Sequence, residues 1–141
     1  MEIRHLGPTD TAIHCEIAAA HKERTISIEC AERFLSDDDN CLIAATLDDE
    51  VVGFALGYLM SRVDSDQPMM MLYEIDVRED HRRKGIGSAL IKKMLEVCKA
   101  RNVMKLFVGT GISNEPAKAL YSSTGGKQME GAGVGFEYTK F

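Results

Sequence analysis

Tryptophan is absent from the sequence, only three prolines occur, and aromatic residues make up 6% of the chain. No apolar run approaches the roughly 20 residues that a membrane-spanning helix needs, and the N-terminal residues lack the apolar block of a signal peptide. The four cysteines include no C-x-x-C pair, which argues against a zinc site. We therefore expect a cytoplasmic protein with no membrane partner and no metal.

The chain also lacks an excess of basic residues. Its 141 residues include 17 Lys and Arg against 22 Asp and Glu, giving a net charge of −5. Nucleic acid is therefore not an expected partner. The length suits one domain over residues 1–141, and 45% hydrophobic with 28% charged residues is typical of a globular protein.

Hydrophobic periodicity predicts the element order β-α-α-β-β-β-α-β-α-β-β, a mixed α/β domain. The predicted strands are 2–6, 41–47, 51–60, 69–77, 105–109, 127–130 and 135–141. The first predicted helix follows the cap residues 8–10 and runs to about residue 21; the others are 27–35, 85–102 and 115–124.

The most informative segment is 75–90, IDVREDHRRKGIGSAL, in which a short strand leads through a basic, glycine-containing turn into a helix. Glycines let the backbone approach a ligand, and the free N–H groups and dipole at a helix N-terminus bind phosphate. Arg82, Arg83 and Lys84 add positive charge there. The segment therefore predicts a pyrophosphate site.

Two common phosphate motifs do not fit this turn. The dinucleotide fingerprint G-x-G-x-x-G requires a third glycine where this chain has Leu90. A Walker A loop closes with G-K-[ST], whereas Lys84 precedes its glycine.

Residues 82–87, RRKGIG, instead resemble the R/Q-x-x-G-x-G/A motif of the GNAT superfamily of N-acetyltransferases. Residues 114–121, NEPAKALY, resemble the N-x-x-A-x-x-L-Y helix of the same superfamily. The resemblance implies acetyl-CoA as co-substrate, bound by the strand, the turn and this helix. The implied binding residues are Ile75, Asp76, Val77, Arg82, Arg83, Lys84, Gly85, Ile86, Gly87, Ser88, Asn114, Ala117 and Tyr121. A plain helix cap is the alternative role for Asn114, and core packing is the alternative for Tyr121.

The superfamily resemblance also implies an α+β fold with a mixed, mostly antiparallel sheet of six to seven strands and about four helices. From about Phe34 to Tyr121 the chain is similar to the aminoglycoside 3-N-acetyltransferase branch, through segments 34–40, 49–53, 79–83 and 115–117. That branch implies antibiotic resistance, and family members often form dimers through C-terminal strands. The glycine-rich loop 131–135 is not a feature of the branch, so the acceptor stays open.

Acetyl transfer to an amine requires a group that removes a proton, because an alkylammonium has a pKa of roughly 10.4. Glu74 and Asp76 are the candidate bases, since their i, i+2 spacing places both on one face of the strand. The alternative is that this face is exposed and the charges are ordinary. Glu74 resembles the substrate-facing acid of small-molecule members, whereas the histone-modifying branch has its glutamate nearer the position of Met71.

The leaving thiolate needs a proton, and the resemblance assigns that role to Tyr121. Peptide N–H groups of a bulged strand near Asp76 and Val77 would polarise the thioester carbonyl. The acidic runs 37–39 and 48–50 either attract a polycation or form solvated loops. The histidines His5, His14, His21 and His81 form no constellation visible in the sequence.

These features predict acetyl transfer from acetyl-CoA to a primary amine of a small cationic acceptor, with an aminoglycoside as the first candidate. The alternatives are a peptide, protein or polyamine N-acetyltransferase, and a non-catalytic coenzyme A-binding sensor.

Overall fold

The computed structural model describes residues 1–131 and 136–140. Its five-stranded sheet has the order β1-β2-β3-β4-β5. The strands are β1 (Glu2–His5), β2 (Asn40–Leu47), β3 (Glu50–Met60), β4 (Met69–Val77) and β5 (Lys105–Phe107). The helices are α1 (Thr11–Lys22), α2 (Ile28–Leu35), α3 (Ile86–Ala100) and α4 (Glu115–Ser123), with one 3₁₀ turn at Glu79–His81.

Strands β1 to β4 form an antiparallel meander, and β5 is parallel to β4. The parallel pairing is short, and its last pair is Met71 beside Phe107. Beyond that point, residues 72–77 of β4 have no partner strand on this side within the described chain. The sheet therefore opens between β4 and β5.

Each face of the sheet is covered by different helices. Helix α3 packs on one face, where Met70, Leu72 and Met94 are almost fully buried. Helices α1 and α2 cover the other face through a second cluster that includes Leu42 and Phe54. Burial of these side chains on both faces is the main source of stability, at about 1.5–3 kcal/mol for each large one.

A β-bulge in β4 changes which face of the sheet the later side chains of the strand occupy. Leu56 pairs with Glu74 and Gly57 pairs with Leu72, which leaves Tyr73 as the extra residue. Tyr73 is exposed, and its ring contacts Tyr58 with centroids 5.5 Å apart. The extra residue places Leu72 on the α3 face and Glu74 on the α1 face. The bulge expected near Asp76 and Val77 therefore lies earlier in the strand, at Tyr73.

The α+β class and the four helices are confirmed, whereas the prediction of six to seven strands is wrong for the described residues. Residues 127–130 form no strand, because this exposed segment pairs with no described neighbour. The predicted strand 135–141 and loop 131–135 include residues 132–135 and 141, which lie outside the described residues.

In the described ranges, no helix combines the length and the apolarity needed to cross a membrane.

Candidate active site

The turn predicted to bind pyrophosphate leads directly into α3. Gly85 caps the helix with a φ of 78°, in the left-handed region that favours glycine. A Cβ added at Gly85 would meet no atom within 4 Å, so the space above the turn is open. The first N–H groups of the helix have no intrahelical acceptor, and they are those of Ile86, Gly87 and Ser88. The turn therefore has the open space and the free donors that a phosphate group requires.

The three basic side chains of the turn are exposed, and two of them donate to backbone carbonyls. The Nε of Arg82 donates to the Val77 carbonyl oxygen at 3.0 Å, which ties the turn back to β4. The Lys84 ammonium donates to the Asp80 carbonyl oxygen at 3.2 Å. Arg83 has a φ of 61°. The turn therefore carries three basic side chains next to the N-terminus of α3.

Gly87 has a packing role that the motif did not reveal. A Cβ added at Gly87 would lie 3.2 Å from Cδ2 of Leu120, so the glycine lets α3 and α4 approach closely. Ile86 is only 3% exposed, and its side chain belongs to the core. Both residues therefore offer a ligand their backbone N–H groups rather than their side chains.

Helix α4 holds the second half of the motif. The Asn114 side-chain oxygen accepts from the Ala117 N–H at 3.2 Å, so the alternative role as a helix cap is present. The cap uses only the side-chain oxygen of Asn114, and an asparagine side chain also has an amide nitrogen that can donate to a ligand. Tyr121, seven residues later, packs against the α3 side of the core. Burial raises the pKa of the Tyr121 hydroxyl, so this group keeps its proton at neutral pH.

A cavity of about 590 Å³ lies beside Tyr121, between β5, α3 and α4. Leu72, Ile91 and Phe107 contribute to its apolar wall. The basic turn does not line this cavity, which instead borders β5, the edge strand of the sheet formed by the described residues. The phosphate turn and this cavity are therefore separate parts of the cleft, and Tyr121 borders the second.

The two candidate bases project from the opposite face, where the end of α1 meets both. The Glu74 carboxylate contacts the Lys22 ammonium at 2.5 Å. The Asp76 carboxylate contacts Nδ1 of His21 at 2.7 Å and also lies 3.7 Å from the Arg82 guanidinium. The carboxylates thus lie on the α1 face of β4, whereas Tyr121 packs against the core on the α3 face.

His21 and Lys22 are the residues that the sequence interpretation missed. The His21 side chain is 1% exposed, and its ring meets Phe54 edge to face at 5.2 Å. The only signal in the sequence was their place in the last turn of a predicted helix, where basic residues suit the helix dipole. The sequence showed no constellation of histidines, and the structure pairs two of them with single carboxylates: His21 with Asp76, and His81 with Asp80 at 2.8 Å.

A smaller cavity of about 170 Å³ opens between α1, α2 and the sheet, on the side of the two carboxylates. His14, Phe34 and Phe54 form its aromatic wall, and Lys22 and Glu74 are its charged residues. Burial lowers the pKa of His14, so its imidazole is neutral at pH 7. The cavity therefore combines an apolar wall with one carboxylate that already pairs with a primary amine, that of Lys22.

The acidic runs have local partners that account for part of their charge. The Asp39 carboxylate lies 3.4 Å from the Arg101 guanidinium, and Glu50 lies 3.2 Å from Arg78. Asp48 and Asp49 both adopt positive φ in the turn between β2 and β3, a conformation that aspartate tolerates. No group of three or more His, Cys, Asp or Glu side chains that could hold a metal ion occurs within residues 1–131 and 136–140.

Comparison with known proteins identifies one family. The model of the Acetyltransferase (GNAT) family matches residues 10–125. A [ribosomal protein bS18]-alanine N-acetyltransferase from Salmonella typhimurium is 30% identical over 103 residues, which are 73% of this chain and 62% of that protein. The chain spans about half the length of the curated relatives it matches.

Solved structures share the whole fold. An aminoglycoside acetyltransferase from an uncultured soil metagenomic sample superposes with a TM-score of 0.82 and 26% identity, covering 98% of each chain. The aminoglycoside N-acetyltransferase AAC(6')-Iy in complex with CoA has a TM-score of 0.77 and 18% identity, covering 98% of this chain and 100% of that one.

Proposed function

Because the chain belongs to the Acetyltransferase (GNAT) family, we propose that it transfers an acetyl group from acetyl-CoA to a primary amine. The observation that carries the proposal is the continuity of the unpaired β4 edge, residues 72–77, with the open N-terminus of α3. An extended chain edge followed by free N–H groups suits an elongated ligand that ends in a pyrophosphate.

Acetyl-CoA, when bound, supplies the thioester that is attacked. In our proposal the backbone of Ile75, Asp76 and Val77 binds the pantetheine arm. The pyrophosphate takes the N–H groups of Gly85 to Ser88, with charge from Arg82, Arg83 and Lys84. Asn114 and Ala117 flank the arm at the start of α4.

Glu74 is our candidate for the base. Asp76 has two partners, the buried His21 and the Arg82 guanidinium. Within the described residues, Glu74 has a single ion-pair partner, the half-exposed Lys22. A carboxylate that has a single exposed partner is more available to an incoming ammonium. Glu74 would accept the proton directly or through a water, and Asp76 would hold the end of α1 against β4.

Tyr121 is our candidate for the acid. Its raised pKa keeps the phenol protonated, and it lies on the other side of the open β4 edge from Glu74. The proton is therefore available on the thiolate side while the base faces the amine side. This division suits direct transfer from sulfur to nitrogen.

The acceptor class we propose is a small cationic amine, with an aminoglycoside as the first candidate. A structural relative at 26% identity is an aminoglycoside acetyltransferase, and the site offers carboxylates on the acceptor face. A peptide or protein N-terminus is the second candidate, favoured by the 30% identity to a ribosomal-protein-alanine N-acetyltransferase. A role in antibiotic resistance, a cytoplasmic location and a homodimer formed through C-terminal strands belong to this proposal as hypotheses.

The deciding experiment measures thiol release from acetyl-CoA against aminoglycosides, polyamines, amino acids and peptides that begin with alanine. Isothermal titration calorimetry with coenzyme A runs in parallel. Binding with release of thiol for one amine class supports the proposal and names the class. Binding without turnover on any amine favours the non-catalytic sensor, and absence of binding contradicts the proposal altogether.

A further inference from the structure

Lys22 places a primary amine of the protein on the candidate base. Its ammonium lies 2.5 Å from the Glu74 carboxylate, and its side chain is 46% exposed. Glu74 stands directly after the bulge at Tyr73, three residues beyond the last β4 residue that pairs with β5. The Lys22 amine therefore occupies the position that the proposed mechanism gives to the acceptor.

This placement is fixed by the neighbouring residue rather than by the lysine alone. The His21 side chain is buried, meets Phe54 edge to face and contacts Asp76 at 2.7 Å, so the end of α1 is held against β4. Lys22 follows on the next position and reaches the carboxylate two residues before Asp76. A flexible lysine is thereby confined near one acid, which favours reaction with a group bound beside it.

The other lysines with described partners lie elsewhere. Lys93 contacts Glu96 on α3, and Lys118 contacts Glu115 on α4. Lys84 donates to a backbone carbonyl in the basic turn. None of these three has a candidate base as its described partner, so the structure distinguishes Lys22 from them.

We propose that Lys22 is a self-acetylation site, modified from acetyl-CoA bound to the same molecule when no external amine competes. The proposal rests on the proposed function. The Lys22 ammonium gives a proton to Glu74, and the neutral nitrogen forms a bond to the acetyl carbonyl carbon. The carbon–sulfur bond breaks, and the coenzyme A thiolate leaves and is protonated by Tyr121. The acylated nitrogen loses its second proton through solvent, which returns a proton to the Tyr121 phenolate. The product amide is uncharged, so the ion pair with Glu74 is lost.

The test incubates the full chain with acetyl-CoA without added amine and maps acetylated lysines by peptide mass spectrometry over time. We expect Lys22 to be labelled first, and we expect Glu74→Gln to slow that labelling by about 100-fold, the scale of general-base catalysis. Lys22→Arg keeps the charge and the ion pair but removes the acceptor nitrogen, so labelling at that position disappears. Lys93→Arg is the matched control and leaves Lys22 labelling unchanged.

Equal labelling of Lys22, Lys93 and Lys118, with no effect of Glu74→Gln, would mean only chemical acetylation and would overturn the proposal. A readout without acetyl-CoA is the NMR titration of the Lys22 side-chain nitrogen. Glu74 raises the pKa of Lys22, and Glu74→Gln is expected to lower it again. If the pKa of Lys22 is the same in the Glu74→Gln variant as in the wild type, the placement of the amine beside Glu74 is overturned as well. If external amines are acetylated while Lys22 is not, this inference fails and the proposed function stands.

Discussion

At the scale of single residues, the two β4 carboxylates are chemically alike but have different partners. Asp76 is tied to the buried imidazole of His21, whereas Glu74 meets the half-exposed Lys22. Because their surroundings differ, we expect substitution of Glu74 and substitution of Asp76 to have different effects. The i, i+2 spacing correctly predicted that the two carboxylates share a face. It could not show that Asp76 is the one bound by His21, because that residue lies 55 positions earlier in the sequence.

We expect Glu74→Gln to lower kcat by about 100-fold or more while the melting temperature changes little, because a base is lost at a partly exposed position. Asp76→Asn is expected to lower stability by about 1–3 kcal/mol, since it weakens a hydrogen bond to a buried imidazole. Steady-state kinetics and urea unfolding on both variants check the assignment. The opposite pattern, with stability lost at Glu74 and turnover lost at Asp76, would exchange the two roles.

Tyr121 is the second residue whose role depends on protonation. Burial raises its pKa above the ordinary tyrosine value, so the phenol is protonated and able to donate at neutral pH. Proton donation is lost only as the pH rises through that raised pKa. The wild-type kcat should therefore fall at alkaline pH, above the range of an exposed tyrosine.

We expect Tyr121→Phe to lower kcat by about 100-fold at neutral pH and to remove this alkaline fall, with coenzyme A affinity nearly unchanged. The ring stays packed against the core, so the fold is preserved. Calorimetry and a kcat–pH profile measure the two effects. An unaltered profile in the variant would exclude Tyr121 as the proton donor.

At the scale of elements, the sequence predicted both ends of β4 correctly. It predicted the ends of the helices and of the other long strands to within one or two positions. Alternation and helical periodicity are strong in these segments. Strand β5 is two residues shorter than predicted, and the bulge lies at Tyr73 rather than near Asp76 and Val77. Both features depend on pairing between strands, which local pattern does not encode. The same limit applies to Gly87, whose neighbour Leu120 is distant in the sequence.

Gly87 offers a test of the contact between α3 and α4. A valine there would clash with Leu120, and we expect Gly87→Val to destabilise the protein by about 1–3 kcal/mol, the usual cost of overpacking. Leu120→Ala in the same chain would make room and recover part of that loss. Urea unfolding of the single and double variants gives the coupling energy. Additive losses would show that Gly87 does not set the distance between the helices.

At the scale of the whole molecule, the proposed site is built from segments that are far apart in the chain. The end of α1, the open edge of β4, the start of α3 and the helix α4 contribute to it. The family motifs predicted the β4, α3 and α4 parts because each motif is contiguous. The α1 part is not contiguous with a motif, and only the folded sheet brings His21 and Lys22 to β4.

If the proposed donor site spans this much of the fold, coenzyme A binding is coupled to global stability. A ligand that binds only the folded state at 100 times its Kd adds about 2.7 kcal/mol. For a chain of this length we expect coenzyme A to raise Tm by roughly 10 °C at that concentration. Differential scanning calorimetry across a coenzyme A series measures the shift.

The basic turn supplies the variant for this measurement. Arg83 is exposed and has a φ of 61°, a conformation that asparagine tolerates, so Arg83→Asn removes charge without straining the backbone. We expect this variant to keep its Tm without ligand and to show a smaller shift with coenzyme A, more so at low salt. Lys92→Gln, an equal loss of charge on the exposed side of α3, should keep the full shift. Equal Tm shifts for both variants would mean that the pyrophosphate does not lie at the turn. The charge of Arg83 would then be no more important for coenzyme A binding than the charge of Lys92 on the exposed side of α3.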